Sequence, residues 1–170
     1  MFGSEPSHSA KKALENFKKN NVKYIIELGA GLGRDTIFFA KNSIKVTALD
    51  YSPTAVEIIK NKSNSLGLND LIEVQTHDLR QKLNFTDNSF DGCYSHMLYC
   101  MAFTYSELEN LNTEVCRVLN KDSLNIYTVR NHSDADYKKG THRGEDLYEM
   151  NGYIVPVSYT HLRAHETETN

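Results

Sequence analysis

The chain has 170 residues, of which 39% are hydrophobic and 24% charged, and its 19 basic and 22 acidic residues leave a net charge of −3. This length fits one domain with its own core, and the charge balance lacks the basic excess typical of nucleic-acid-binding proteins. No apolar run is long enough to cross a membrane, and residues 1–12 have no signal-like apolar segment. We therefore expect a cytoplasmic single-domain protein that binds neither nucleic acid nor membranes.

Apolar residues recur along the chain in two alternating patterns. Short runs rich in β-branched residues predict buried strands, and apolar residues spaced every three or four positions predict amphipathic helices. Ser7 or Ser9 is expected to cap the first helix, and Ser52 precedes Pro53 at the start of another. The predicted elements are helix 7–19, strand 22–28, helix 35–42, strand 44–49, helix 53–67, strand 71–76, strand 91–95, helix 106–119 and strand 124–129.

This alternation predicts the fold class. Strands and helices that follow one another at short spacing favour an α/β fold, here a Rossmann-like, doubly wound and mainly parallel sheet with helices on both faces. Such sheets bind ligands at the carboxyl ends of their strands. Functional residues are therefore expected directly after strands, in segments 27–35, 50–52, 77–79 and 95–99.

The pattern weakens after residue 131. Residues 132–152 are polar, and the brief apolar run at 153–157 is the last strand candidate. The segment SYTHLRAHET within residues 158–170 resembles the translated read-through of a sequencing adaptor, although a flexible natural terminus would have a similar composition. We predict a domain over residues 1–157, and a non-native tail over 158–170.

The cysteines and histidines do not form a recognisable metal or disulfide pattern. Cys93, Cys100 and Cys116 are odd in number and lie 7 and 16 residues apart, which fits neither a disulfide framework nor a CxxC site. We expect three reduced, buried thiols. The one HxxxH pair among the seven histidines, His161 and His165, lies in the segment predicted to be a non-native tail, and no histidine forms a Cys/His cluster, so we expect no metal site.

The most informative segment is a glycine-rich turn between the first predicted strand and the second helix. It has the form E-x-G-x-G-x-G, from Glu27 to Gly33, followed by Arg34 and Asp35. A dinucleotide fingerprint requires G-x-G-x-x-G, and acids beside the turn would repel a pyrophosphate. The segment suits a cationic ligand with a polar amino-acid end, while a purely structural tight turn is the alternative.

Two further acids follow predicted strands. Asp50 lies 21 residues after Gly29, where a carboxylate can accept hydrogen bonds from both hydroxyls of a ribose. Asp78 follows the next strand, where a side chain could meet the exocyclic amine of an adenine. The alternatives are that Asp50 only ends a strand and that Asp78 only forms a turn.

Taken in order, these segments resemble the class I S-adenosylmethionine-dependent methyltransferases, most closely the broad small-molecule group called type 11. The resemblance covers about residues 22–130, or two thirds of the chain. Family members usually continue through two more strands, so the resemblance implies a sheet that is missing its last strands and a domain truncated at its C-terminus. The matching segments are 27–33 (ELGAGLG), 49–52 (LDYS), 77–79 (HDL), 87–91 (DNSFD) and 114–120 (EVCRVLN).

The resemblance implies S-adenosylmethionine as the cofactor, a small-molecule acceptor and a role for each matching residue. Glu27 and the glycine turn would hold the methionine part, Asp50 the ribose, and Ser95 and His96 would lie near the methyl group. The implied cofactor-binding residues are Glu27, Gly29, Ala30, Gly31, Gly33, Asp50, Tyr51, Asp78, Leu79 and Ser95.

A general base is needed only where the acceptor must lose a proton. His96 is the candidate catalytic residue, with Tyr99, His142 and Glu145 as other candidates. Two alternatives to a methyltransferase remain at this point. One is a non-catalytic fragment that binds S-adenosylmethionine, and the other is a nicotinamide-dependent oxidoreductase.

Overall fold

The computed structural model describes residues 5–101, 103–129, 139–144, 147–150 and 153–156, and confirms the predicted alternation of helices and strands. Ser7, not Ser9, caps the first helix by accepting a hydrogen bond from the Ala10 amide. A single 3₁₀ turn, Leu98–Cys100, follows the fourth strand. The elements are α1 His8–Lys19, β1 Tyr24–Leu28, α2 Arg34–Lys41, β2 Lys45–Asp50, α3 Pro53–Leu66, β3 Ile72–Thr76, β4 Phe90–Ser95, α4 Tyr105–Val118, β5 Leu119–Tyr127, β6 Thr141–Gly144, β7 Leu147–Met150 and β8 Tyr153–Pro156.

The first five strands form one sheet in the order β3-β2-β1-β4-β5, and every neighbouring pair is parallel. The chain winds outward from β1 through β2 to β3, and then returns to add β4 and β5 on the other side of β1. The direction of winding therefore reverses between β1 and β4. Loops at the carboxyl ends of these two strands separate there and leave a crevice, which is where doubly wound sheets bind ligands.

Helices cover both faces of this sheet, as predicted. Successive side chains of a strand point to opposite faces. In β1, Ile26 packs in a cluster with Leu108 of α4, whereas Ile25 packs in a second cluster with Phe17 of α1 and Phe39 of α2. No helix in the described part of the chain is long and apolar enough to span a bilayer.

The structure differs from the sequence-based expectation after β5. Residues 141–156, which were expected to contribute one brief strand, contain β6, β7 and β8 in a separate antiparallel sheet. Antiparallel pairing uses backbone groups, so polar segments can form it without an apolar pattern. The five-stranded sheet ends at β5 in the described residues, and the predicted tail at 158–170 lies outside them.

The prediction for the cysteines is correct for two of the three. Cys93 and Cys100 are buried, whereas Cys116 is exposed. Cys116 follows Val115, which lies on the buried stripe of α4, and the next position along a helix turns about 100° away from that stripe. Among the described residues, no group of three or more His, Cys, Asp or Glu side chains could hold a metal ion.

Candidate functional site

The glycine turn after β1 lines the crevice, and its three glycines serve two purposes. Gly29, Gly31 and Gly33 all have positive φ angles, of 72°, 55° and 75°. A Cβ atom would lie 2.6 Å from Ile59 Cγ1 at Gly33 and 3.1 Å from Leu98 Cδ1 at Gly29, but would meet nothing within 4 Å at Gly31. The outer glycines allow close packing, whereas Gly31 leaves open space in which a ligand can approach the backbone.

The amide groups of this turn are already bound to β2. Gly29 and Ala30 donate to the Leu49 carbonyl oxygen at 2.9 and 3.0 Å, and Gly31 donates to Asp50 Oδ2 at 2.7 Å. Dinucleotide-binding folds hold the pyrophosphate with free amides at the turn. Three amides of this turn are not free to do so, which agrees with the sequence-based argument against a dinucleotide.

Asp50 joins the crevice-lining loops to one another. Its carboxylate accepts from the Gly31 amide through Oδ2 and from the Ser52 amide at 2.9 Å through Oδ1, while its carbonyl oxygen accepts from the His77 amide at 2.9 Å. Each carboxylate oxygen keeps a second lone pair. Asp50 can therefore shape the turn and still accept two hydroxyl hydrogen bonds, a double role that the sequence pattern did not predict.

Glu27 is the most deeply buried acid of the crevice, with 3% of its surface exposed. Burial is the main reason why the pKa of Glu27 is raised to about 8. The nearby charges of Asp35 and Asp50 also raise the pKa, whereas a hydrogen bond of 2.6 Å from Thr36 Oγ1 lowers it. A buried carboxyl with so high a pKa in a crevice is typical of a functional site. A cationic ligand beside it would favour its ionised form.

Asp35 stabilises the docking of α1, a role that the sequence did not predict. It accepts from the Ser7 amide at 2.8 Å, from Ser7 Oγ at 2.7 Å and from the Tyr94 hydroxyl at 3.1 Å. Burial opposes its ionisation, but hydrogen bonds from Ser7 and Arg34 outweigh that effect and hold the pKa of Asp35 below its usual value. The ionised Asp35 thus anchors the start of α1 next to the crevice.

The outer residues of the crevice are much more exposed. Tyr51 is 73% exposed. Asp78 forms a two-pronged ion pair with Arg80, with Nε–Oδ1 and Nη2–Oδ2 distances of 2.9 Å, and these hydrogen bonds lower the pKa of Asp78. The side chain of Leu79 is buried in the larger core cluster.

Two polar atoms at the strand ends have no partner. Ser95 Oγ, in the last residue of β4, and His77 Nε2, directly after β3, are buried and make no hydrogen bond among the described residues. Buried polar atoms in native proteins are normally paired, so such atoms beside a crevice indicate a missing ligand or water. With the open space at Gly31 and the free lone pairs of Asp50, they fit the polar cofactor that the resemblance implies.

His96 lies at the start of the loop after β4 and is half-buried. Its Nδ1 atom is 2.9 Å from Ser9 Oγ and 3.2 Å from Thr128 Oγ1, while Nε2 has no hydrogen-bond partner among the described residues. Burial lowers the pKa of His96 below its usual value. The imidazole is therefore mainly neutral near pH 7, and Nε2 is the ring nitrogen whose hydrogen-bonding capacity is not used within the described residues.

The other candidate bases are placed less favourably. Tyr99 is 1% exposed, donates to Asn112 Oδ1 at 3.0 Å and has a pKa that burial raises, so the structure argues against it as a base. His142 is exposed on β6, with its ring centroid 5.0 Å from that of Tyr148. Glu145 lies outside the described residues.

Known proteins resemble this chain in both sequence and structure. The 24-methylenesterol C-methyltransferase 2 of Arabidopsis thaliana is 27% identical over 143 residues, which are 76% of this chain and 38% of that protein. A sterol 4-C-methyltransferase of Caenorhabditis elegans is 26% identical over 105 residues, which are 62% of this chain and 30% of that protein. The chain thus spans less than half the length of these curated relatives.

Solved structures share the fold at low sequence identity. A geranyl diphosphate methyltransferase in complex with SAM superimposes with a TM-score of 0.60 and 14% identity, covering 69% of this chain and 47% of that one. The [4+2]-cyclase SpnF superimposes with a TM-score of 0.51 and 23% identity, over 58% of this chain and 35% of that one. These likenesses show the fold alone, which hosts more than one chemistry.

The family itself follows from a sequence match over most of the parallel sheet. A family model described as "Methyltransferase domain" matches residues 25–122, from β1 to the start of β5. The match contains the glycine turn, Asp50, Asp78 and His96. The chain therefore belongs to the methyltransferase-domain family.

Proposed function

We propose that the crevice binds S-adenosylmethionine and that the domain transfers its methyl group to a small-molecule acceptor. Besides the family membership, the proposal rests on one observation. The crevice contains two buried carboxyl groups, Glu27 and Asp50, and open space beside the backbone of Gly31. This arrangement suits a ligand that combines positive charge with a diol. The engaged amides of the turn weigh against the nicotinamide alternative.

Each part of the cofactor has candidate partners in the crevice. Glu27 would hold the cationic methionine end, and the two free lone pairs of the Asp50 carboxylate would accept from the ribose hydroxyls. Tyr51, Asp78 and Leu79 are proposed to contact the adenine, with Leu79 acting through its backbone. Ser95 Oγ would gain the hydrogen-bond partner that it lacks among the described residues. The remaining proposed contacts are with Gly29, Ala30, Gly31 and Gly33.

The chemistry requires alignment and, for some acceptors, a base. When bound, S-adenosylmethionine supplies a methyl group on a positively charged sulfur. Transfer would form a bond between the acceptor atom and the methyl carbon and break the carbon–sulfur bond, whose electron pair would stay on the sulfur. We propose that His96 Nε2 takes the proton that the acceptor loses. Holding the groups in line is worth up to about 7–11 kcal/mol, so orientation is the protein's main contribution.

Apolar side chains around His96 indicate the kind of acceptor. Met97, Met101 and Val129 follow β4 and β5 and are 39%, 55% and 40% exposed. Contiguous exposed apolar patches often mark a binding surface, and we propose that these three side chains form one. The named activities of the sterol methyltransferase relatives are consistent with an apolar acceptor, and we propose this class for the present domain.

A ligand-binding experiment tests the cofactor assignment. S-adenosylhomocysteine should raise the melting temperature, because binding to the native state alone stabilises it by about 2.7 kcal/mol at a hundredfold excess over Kd. NAD should leave the melting temperature unchanged, and calorimetry with both ligands provides the affinities. Stabilisation by NAD and not by S-adenosylhomocysteine would overturn the proposal.

We also propose a cytoplasmic location. Cys93 is a buried free thiol, and unpaired cysteines are usual in reducing compartments. Cell fractionation with an antibody against the chain would test this location, and recovery in a secreted fraction would contradict it.

A further inference from the structure

A cluster of hydroxyl groups connects His96 to a buried carboxylate through the first turn of α1. Ser9 Oγ lies 2.9 Å from His96 Nδ1, 3.0 Å from the Tyr94 hydroxyl and 2.9 Å from Ser7 Oγ. Ser7 Oγ and the Tyr94 hydroxyl both lie within hydrogen-bond distance of Asp35 Oδ2. Ser9 is therefore the link between the imidazole and the Asp35 carboxylate.

The number of available hydrogens limits how many of these contacts can be hydrogen bonds. A 3.0 Å contact between Ser7 Oγ and the Tyr94 hydroxyl completes the cluster, so six short contacts join Ser7, Ser9, Tyr94, Asp35 and His96. The ionised carboxylate only accepts, and Ser7, Ser9 and Tyr94 supply one hydroxyl hydrogen each. Three hydrogens can satisfy three of the six contacts, and a hydrogen on His96 Nδ1 would satisfy a fourth.

This count favours one tautomer of His96. With a hydrogen on Nδ1, His96 donates to Ser9, Ser9 donates to Ser7 or Tyr94, and both of those hydroxyl groups donate to Asp35, which makes four hydrogen bonds. With the hydrogen on Nε2 instead, only the three hydroxyl hydrogens remain, and at most three of the six contacts can be hydrogen bonds. Thr128 is the other neighbour of Nδ1, at 3.2 Å, and its half-exposed hydroxyl can donate to water.

We propose that Ser9 is the positioning residue for His96. By accepting a hydrogen bond from Nδ1, it holds the imidazole in the tautomer whose unprotonated Nε2 can take a proton from the acceptor. This inference rests on the proposed function for its catalytic meaning, but the tautomer itself is a property of the free protein. The Asp35 carboxylate lies at the far end of this hydrogen-bonded network. It would stabilise the imidazolium that forms when Nε2 takes the proton, as the carboxylate of a Ser-His-Asp triad stabilises its histidine.

The charged groups around His96 are compatible with this role. From α2, Asp35 favours the imidazolium and Arg34 opposes it, and from β4 the neutral hydroxyl of Tyr94 faces the same cluster. Ser9 of α1 and Thr128 after β5 contribute only hydroxyl groups. Asp35 is thus the group near His96 that favours a proton on the imidazole.

Nitrogen NMR of the full chain provides a direct test. The ¹⁵N shifts and two-bond couplings of the His96 ring distinguish the two tautomers, and His96→Gln assigns the signals. We expect Nδ1–H in the wild-type protein, although free histidine prefers Nε2–H. In Ser9→Ala, the ratio of Nδ1–H to Nε2–H should fall by roughly tenfold, the value of about one hydrogen bond.

Two further variants separate positioning from a general structural effect. Ser9→Thr keeps the hydroxyl group and should restore the wild-type tautomer. Tyr94→Phe removes a hydroxyl group of the same cluster that does not contact His96, and should leave the tautomer unchanged because Ser7 can still accept from Ser9. Melting temperatures confirm that each variant is folded.

The outcomes that overturn the inference are distinct from failure of the proposed function. A wild-type Nε2–H tautomer, no change in Ser9→Ala, or an equal change in Tyr94→Phe would each show that Ser9 does not set the tautomer. Calorimetry of the same proteins with S-adenosylhomocysteine reports on the cofactor site separately. Absence of binding there would remove the proposed function and leave the tautomer result intact.

Discussion

The crevice has a buried floor, formed by Glu27 and Asp50, and an exposed rim, formed by Tyr51 and Asp78. Asp50 is the last residue of β2 and Asp78 lies two residues after the end of β3. Asp50 is 8% exposed and bound to two backbone amides, whereas Asp78 is partly solvated and paired with Arg80. The strand order explains the difference, because β2 lies between two strands and β3 is at the edge of the sheet. A position at the end of a strand therefore does not define the role of an acidic residue. The neighbouring strands of the sheet determine that role.

The largest effect is expected at the floor, in Asp50→Ala. This change removes the acceptor for the Gly31 and Ser52 amides as well as the proposed ribose contacts. Hydrogen bonds to charged groups are worth about 1.5–3 kcal/mol each, so the affinity for S-adenosylhomocysteine should fall by about a hundredfold or more. A binding titration beside a thermal melt measures both effects.

Asp50→Asn sharpens this prediction. Both carboxylate oxygens accept from backbone amides, so a carboxamide must place its NH₂ group against one of two N–H donors. We expect it to weaken binding about as strongly as alanine does, although sequence alone would suggest a milder effect. Asp70→Asn, the same change at an exposed turn, is the matched control and should bind normally. A folded Asp50→Ala protein with unchanged affinity would contradict the ribose role.

Glu27→Gln tests the buried carboxyl of the floor through the pH dependence of protein stability. In the folded protein Glu27 keeps its proton to about pH 8, whereas its ordinary pKa is 4.5. The folded state therefore binds more protons between these values, and the free energy of unfolding of the ligand-free protein should decrease as the pH rises through them, by on the order of 4 kcal/mol. Glutamine should abolish this slope in melts recorded from pH 4 to 9.

The same ionisation has the opposite effect on ligand binding. A cationic ligand favours charged Glu27, so the affinity for S-adenosylmethionine should increase by up to about tenfold per pH unit from pH 6 to 8, with release of a proton. Calorimetry in buffers of different ionisation enthalpy counts that proton. Glutamine should give lower affinity and no pH dependence. Equal pH dependence in the wild type and the variant would argue against Glu27 as the partner of the cation.

A smaller effect is expected at the rim, in Asp78→Ala. The carboxylate is partly solvated and shared with Arg80, so its loss should weaken S-adenosylhomocysteine binding by about three- to tenfold, equivalent to one hydrogen bond of about 0.5–1.5 kcal/mol. Arg80→Ala removes the ion pair but keeps the carboxylate, and should change the affinity less than twofold. If Asp78→Ala were as damaging as Asp50→Ala, the distinction between floor and rim would fail.

The smallest effect is expected for a deletion that affects neither the floor nor the rim. Removal of residues 158–170 should leave both the melting temperature and the cofactor affinity nearly unchanged, because this segment has few apolar side chains to offset the entropy of ordering it. A loss of stability above about 1 kcal/mol would show that these residues contribute to the domain and are not a tail.

Most of the parallel sheet could be predicted from local patterns, and the C-terminal sheet could not. The inner strands β1 and β2 carry near-continuous apolar runs because both of their faces are covered, whereas β3 is partly exposed and β5 begins five residues before the predicted strand, in a polar stretch. The segment that forms β6 is polar and the one that forms β7 is only four residues long, and their pairing depends on backbone groups that every residue has. The candidate base Tyr99 illustrates the same limit, since its position after β4 gave no sign that its hydroxyl would be buried against Asn112.

By itself, the sequence determined the alternating α/β elements, the glycine turn with its acids and the family, because periodicity and motif spacing are local properties of the chain. Only the tertiary structure decided which groups meet. Ser9 lies 87 residues from His96, and Asp50 lies 19 residues from the Gly31 amide that it holds, so neither contact leaves a local signal. The strand order β3-β2-β1-β4-β5 brings them together, because folding the chain outward and back across β1 places separate loops at one edge.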